Sequence, residues 1–511
     1  MTAEKSFRFA RNVGWNLLGQ IGVAAFNFLT LPYIVHRMGV DAYGLYILLH
    51  TAGSYLFLAS FGASAATPKY VAAFDASKDG RGMSDTVLYA AAMHGLGVLI
   101  AAAILGLEAR FFATRLFHLS PENLATGIFV IRCAAVAAVF AALLQFSFGV
   151  LQGLQYFDRY NLIVMIQSGL QPAGVAALLF AGRGIKAAAC WYVALNMGLC
   201  LVVGAQTLRL LRPAMASSGA KGLRLKTFME WSLTQWLGGL GIFVSSQFDK
   251  IFIARAISLS SLTLYSVPAG LLQRFQILPG MVSVVALPMM VEVSGPDSRE
   301  ALRRMYLKSV RFLLGAGLPT LVLMLTLIPQ FLSLWLGGDF GSKSVQPTRL
   351  LVIGQLFVLL VTMPTTVVNT QSNPWRTPML YWAQALTSVF LWRLLIPRYG
   401  ILGVAIGTLA AQAVPTCVYI WIVHKKILHM PFTRYAAEGL WAPLCSAALQ
   451  LCVIFPRHDA ATSWFTMALF ACAGYGVYYG SLWLLLNAEE KSLIRNYLRM
   501  SGFTTRMRLG V

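Results

Sequence analysis

Acidic side chains are the scarcest feature of this chain: 511 residues carry 18 Asp and Glu against 40 Lys and Arg, and charged residues of both signs make up only 11% of it. A soluble globular chain carries about 25% charged residues, so that class is excluded. With 58% hydrophobic side chains the chain reads as an all-α polytopic membrane protein. Cysteine is sparse too: seven residues, an odd number, all inside apolar runs and with no CxxC pair, which reads as small packing residues rather than disulfides or metal ligands. The seven histidines show no spacing that would hold a metal, so no metal site is expected. A GxxxxGK[ST] run is missing, which excludes ATP hydrolysis at a P-loop. No bound cofactor is expected. The net charge of +22 invites a nucleic-acid reading, but a phosphate-tracking groove needs a soluble basic face, and this chain is mostly apolar span.

What is present is a series of long apolar runs. Hydropathy divides the chain into about 14 transmembrane helices, near 12–36, 43–66, 86–107, 124–150, 162–182, 187–211, 231–254, 262–290, 309–329, 347–369, 379–396, 400–423, 439–456 and 463–486. The first run is too long for a signal-peptide core and reads as a retained span. An even count puts both termini on one side. That side holds 26 of the 40 Lys and Arg, the opposite side 10, and four (Arg132, Lys250, Arg274, Arg393) lie inside spans. By the positive-inside rule the termini are cytoplasmic. The outer loops reach only about 17 residues, too short for a folded catalytic domain, so the chain reads as a non-enzyme.

A repeat emerges when the chain is slid by roughly 217 residues. RMGVDAYGLY from Arg37 matches RAISLSSLTLY from Arg255, Arg183-Gly matches the Arg398-Tyr-Gly segment, and Gln152 matches Gln371. Their offsets are 218, 215 and 219 residues. Equal offsets at equal places in the span order predict two six-helix lobes, related by a pseudo-two-fold along the membrane normal, plus two extra helices. The predicted divisions are an N-terminal lobe at 1–211, a cytoplasmic linker at 212–230, a C-terminal lobe at 231–423, and the last two spans with a cytoplasmic tail at 424–511.

Four cations are candidates for a substrate path. A central Arg costs about 2.5 to 3.5 kcal/mol on insertion scales and is tolerated where it faces a cavity. Arg132 lies about 12 Å deep in the fourth span by helical rise, too deep to snorkel, and Arg274 about 15 Å into the eighth, a helix interrupted by Pro268, Pro279 and Pro288. The repeat carries Arg132 onto Arg349, expected at the start of the tenth span. Lys250 joins them in the seventh, next to Asp249, the one acid well inside a span. Either these arginines bond carbonyls between helices or they line a path for an anion. Arg393, near a span end, reads as snorkelling. Asn16, Gln20, Asn27, Gln235 and Gln247 are candidate sugar contacts or helix glue, with Trp15 and Trp236 as stacking faces or interfacial anchors. Asp249 is the candidate for coupling to H+ or Na+, or a structural partner of Lys250.

In order along the chain, RNVGWNLLGQ (11–20), RMGVDAYGLY (37–46), FGASAATPKYVA (61–72), GVLQGLQYFDRYN (149–161), QFDKIFIAR (247–255) and IPRYGILGVAIGT (396–408) resemble patterns of the Wzx-type oligosaccharide flippases of the multidrug/oligosaccharidyl-lipid/polysaccharide exporter superfamily. The resemblance covers essentially the whole chain. It implies a flippase that moves undecaprenyl-pyrophosphate-linked oligosaccharide repeat units across the bacterial cytoplasmic membrane by alternating access, through a cationic central cavity. It also implies membrane lipids, a polysaccharide polymerase and its co-polymerase as partners. Two alternatives stand beside it: a multidrug or organic-cation exporter of the same superfamily, which would be expected to hold several buried acids, and a membrane-embedded glycan ligase or polymerase, which would want acids or a large loop outside, whereas Asp41 stands alone in a loop of about six residues.

The loop charges predict that a reporter fused in the 221–226 loop reads as cytoplasmic; a periplasmic signal there would overturn the N-in, C-in topology.

Overall fold

The computed structural model describes residues 22–216, 222–293, 298–370, 375–486 and 491, and among them the secondary structure is helical throughout. In chain order the helices are α1 (22–38), α2 (Val40–Leu56), α3 (Ala63–Ser77), α4 (Gly80–Leu107), α5 (Pro121–Gly153), α6 (Phe157–Phe180), α7 (Ile185–Met215), α8 (Leu225–Ala256), α9 (Leu259–Phe275), α10 (Ile277–Glu292), α11 (Arg299–Leu336), α12 (Gly338–Asn369), α13 (Arg376–Tyr399), α14 (Ile401–Leu428), α15 (Phe432–Ala460) and α16 (Trp464–Leu485). Among the described residues thirteen stretches, α9 and α10 together forming one, are long and apolar enough to cross a membrane. Helix α1 lies where the first of the fourteen expected spans ends. The chain is an all-α multi-pass membrane protein.

Local chemistry sets many of the ends. Asp79 caps α4 by accepting from the Gly82 N–H at 3.2 Å. Pro121 opens α5, where its missing N–H costs nothing. Ser463 and Thr466 form a reciprocal capping box at the start of α16. Gly337, at φ +94°, is the single residue turning α11 into α12.

The helix starts reproduce the repeat. Val40 and Leu259, Gly80 and Arg299, Pro121 and Gly338, Phe157 and Arg376, Ile185 and Ile401 are separated by 219, 219, 217, 219 and 216 residues. Packing divides the chain into two units, Met1–Ser266 and Val267–Val511. The first unit therefore keeps α8, which by repeat position opens the second repeat.

In the first unit α5 is the central helix, packed on α2, α3, α4 and α7. A cluster of Ala66, Val71, Met83, Phe146, Val150, Leu211 and Phe228 ties α3, α4, α5, α7 and α8 together. In the second unit α11 and α12 form the central pair, with α14 against α12 and α15 and α16 against α11. Polar side chains fix that packing: Gln450 donates to Pro319 O at 3.2 Å and Tyr478 to Leu314 O at 3.4 Å. The buried Trp392 donates to Thr408 Oγ1 at 3.1 Å. The two last spans are thus bonded to their unit.

One expectation changes. The tract after residue 66, expected as a loop, continues as α3 to Ser77. Thr67, Pro68 and Lys69 lower the hydropathy there, yet the segment is helical, and the Lys69 ammonium sits over the Trp231 and Tyr70 rings, at 4.2 and 5.0 Å.

Between α2 and α3 the chain turns through Phe61 and Gly62, both at positive φ. A Cβ on Gly62 would stand 2.2 Å from Ser232 O on α8, whereas one on Gly239 of the same helix would meet nothing within 4 Å. Gly62→Ala should destabilise by about 1 to 3 kcal/mol, from combined overpacking and backbone strain. Thermal unfolding in detergent should show a lowered Tm for it and none for Gly239→Ala; equal Tm values would refute the close approach.

Candidate functional site

The deepest cation lies where a span is broken. Helix α9 ends at Phe275 and α10 begins at Ile277. Pro279, in the first turn of α10, has no N–H to give the Phe275 carbonyl, and the Gln276 N–H closes a tight turn on Gln273 O at 3.2 Å. Arg274 is the sixteenth of the 34 residues from Leu259 to Glu292, the middle of the span. An Arg stem cannot cover the roughly 15 Å from the centre of a ~30 Å core to either interface. Its side chain is exposed, as are Gln273 and Gln276 beside it. The break therefore presents one guanidinium and two amides at mid-membrane depth. Sequence reasoning found Arg274 and the prolines but missed both glutamines, whose signal was adjacency to Arg274.

The corresponding break in the first repeat is filled by protein. Helix α2 runs into a 3-10 turn, Phe57–Ser60, in which the Leu58 carbonyl accepts the Phe61 N–H at 3.1 Å and keeps a second lone pair. Trp236 of α8 donates its indole N–H to Leu58 O at 3.0 Å, and its ring lies 5.5 Å from that of Phe61. A Cβ on Gly97 of α4 would stand 2.1 Å from Ala59 O. So α8 and α4 close over this turn. Trp236, a candidate sugar-stacking face, is here the cap of a broken helix.

A second polar group lies inside the first unit. Asp249 is buried, accepting from the Lys250 backbone N–H at 2.8 Å and from the Tyr265 hydroxyl on α9. The Lys250 ammonium donates to Gln247 Oε1, one turn back on α8. Tyr55 donates to the Gln247 carbonyl at 2.5 Å, its ring 5.3 Å from both Phe243 and Phe248. His50 feels the Lys250 charge and stacks edge-on with Tyr46 at 4.7 Å and Tyr192 at 4.4 Å. Gln171 donates to the Tyr46 hydroxyl at 3.0 Å. The structure thus brings Gln247, Asp249 and Lys250 together, and adds His50, Tyr55 and Tyr265. Tyr43, Tyr46 and His50 fall at i, i+3 and i+7, so one helical face carried the signal.

The remaining candidates are scattered. Arg132 is exposed on α5, eleven residues after Pro121; Arg349 is half-buried on α12, eleven residues after Gly338. Arg349 was expected at the start of its span. The helix begins earlier because the polar GDFGSKSVQPT segment, which hydropathy rejects, is helical as well. The matched depth keeps the pair equivalent under the repeat. Helix α5 has 33 residues, longer than a ~30 Å core needs, and its side chains lean toward its N-terminus. Arg132 is therefore nearer an interface than Arg274. Asn27 donates to Val23 O at 2.8 Å and to Ser168 O at 3.4 Å, joining α1 to α6. Gln235 is exposed on α8, and Arg393 is exposed near the end of α13. Asn16, Gln20 and Trp15 lie outside the described residues.

Residues 9–294 match the family described as polysaccharide biosynthesis protein. Over 507 residues, 98% of this chain and 99% of the relative, the chain is 21% identical to a protein of Haloferax volcanii named as the flippase AglR. It is 22% identical over 160 residues to a Shigella flexneri protein named as an O-antigen transporter, a stretch covering 31% of this chain and 38% of that relative. Among solved structures, the lipid II flippase MurJ in its inward closed conformation shares the fold at a TM-score of 0.67 and 12% identity, covering 90% of this chain and 98% of that one.

If Trp236 serves as a cap, Trp236→Phe should lose about 1 kcal/mol of stability and leave the preference among transported glycans unchanged. Export assays with two different glycans, read beside Tm, check this; a changed glycan preference at unchanged Tm would make Trp236 a sugar contact.

Proposed function

Since this chain belongs to the polysaccharide biosynthesis protein family, we propose that it is the flippase that carries an undecaprenyl-pyrophosphate-linked oligosaccharide across the bacterial cytoplasmic membrane by alternating access, supplying surface-polysaccharide assembly. It works as a transporter rather than an enzyme. The observation that carries the substrate reading is Arg274: a fixed positive charge at mid-span, exposed, beside a helix break. A diphosphate is an anion that a guanidinium grips bidentately, and grip at mid-membrane depth is what a translocated head group requires. Gln273 and Gln276 add amides that can bond sugar hydroxyls. The polyprenyl tail is as apolar as the bilayer and stays in it, so charge is needed only for the head. An organic-cation exporter would need carboxylates in the path; Asp249, the deep acid, is buried and bonded to Tyr265.

Arg274→Ala should abolish translocation of a polyprenyl-diphosphate oligosaccharide in proteoliposomes while the protein still inserts and purifies folded. Arg274→Lys should restore only part of the rate, since it keeps the charge without the fork. Wild-type flipping by Arg274→Ala would remove the diphosphate clamp from the mechanism.

A further inference from the structure

Helices α6 and α7 enclose a groove of about 600 Å³ inside the first unit, far along the chain from Arg274 and used by nothing described above. Its walls are aliphatic, including Leu162, Ile166, Leu199 and Val202. Its floor is built: Ile163 and Val203 are buried and pack with Leu144, Phe148 and Leu151 of α5. Two guanidinium-bearing residues line its mouth, Arg159 in the first turn of α6 and Arg209 near the end of α7, with Gln206 between the charge and the apolar walls. Both arginines are exposed, and Arg159 is steadied over the Tyr156 ring at 4.9 Å. No acid is among the described residues that line the groove.

We infer that this groove is a binding site for an anionic phospholipid, its phosphate held by Arg159 and Arg209 and one acyl chain laid along the aliphatic walls. Three features support this. An apolar groove on membrane-spanning helices is filled by lipid, because hydrocarbon is what surrounds it. Two arginines without an acid select a negative head group, and basic pockets between helices on the basic side of a membrane protein are where such head groups collect. The length then selects the chain: from Arg209 to Leu199 is ten residues, about 15 Å of helix, which is one leaflet of a ~30 Å core. A diacyl phospholipid of the leaflet that the loop charges make cytoplasmic fits that span, whereas a long polyprenyl carrier overruns it. The site is independent of the Arg274 reading.

The test uses the full-length protein in detergent, with phosphatidylglycerol and phosphatidylethanolamine counted by native mass spectrometry. Wild type should retain phosphatidylglycerol at least tenfold more than phosphatidylethanolamine. The Arg159→Gln, Arg209→Gln double variant should lose that preference. Val202→Trp, at an exposed wall position where a large side chain need not disturb the core, should lower phosphatidylglycerol retention at least tenfold with both arginines intact, so a double variant that fails to fold still leaves a decisive measurement. Equal retention of the two lipids by wild type would overturn the inference, as would phosphatidylglycerol retention unchanged in Val202→Trp. Displacement of phosphatidylglycerol by a polyprenyl diphosphate would reassign the groove to the carrier, and binding of free inorganic phosphate at the same arginines without any chain would reduce it to an anion site; either result overturns it.

Discussion

A bilayer offers no water to a backbone carbonyl, and that constraint governs where this chain can depart from the helix. Each peptide group inside the hydrocarbon must find its partner in protein or in a wet cavity. Among the described residues the chain nevertheless breaks spans at 57–62 and at Gln276, at equivalent points of its repeat. The first break is satisfied from within: the Trp236 indole bonds Leu58 O, while Gly62 and Gly97 let neighbouring helices approach to backbone contact. At the second break Arg274, Gln273 and Gln276 are exposed instead. One repeat has spent its break on packing, and the other has kept it polar and accessible.

The cations divide in the same way. Most lie outside the apolar spans that hydropathy marks, 36 of 40. Of those within spans, the Lys250 ammonium donates to Gln247 Oε1 on its own helix, beside the buried Asp249. Arg132 and Arg349 share a depth closer to one interface. Arg274 alone of the four lies at the centre of its span. Magnitude separates them: at about 2.5 to 3.5 kcal/mol for a central Arg, Arg274 is the one whose cost is not relieved by proximity to a head-group layer.

The polar group around Asp249 shows how a packed unit handles charge it cannot expose. An acid and a lysine at adjacent positions point about 100° apart on a helix, so they reach different neighbours: Asp249 takes Tyr265 of the next helix, and Lys250 takes Gln247 of its own. His50, Tyr46, Tyr192 and Gln171 extend the polar strip across α2, α6 and α7. None of these last four is near Asp249 in sequence.

The sequence by itself determined the class, the span order and the repeat, because hydrophobic run length and loop charge are local quantities that the bilayer reads directly. It also placed Arg274 deep, since depth along a helix is counted in residues. Tertiary structure alone decided which side chains are partners and which are free. Trp236 and Asn27 carried the same sequence signal as a sugar contact would, and packing alone gave the Trp236 indole the Leu58 carbonyl and joined Asn27 of α1 to Ser168 of α6. Span ends such as Gly338 eluded hydropathy because helix formation continues through polar residues beyond the apolar segment. The groove between α6 and α7 left no sequence signal, because Arg159 and Arg209 lie 50 residues apart and line one groove only when two helices pack side by side.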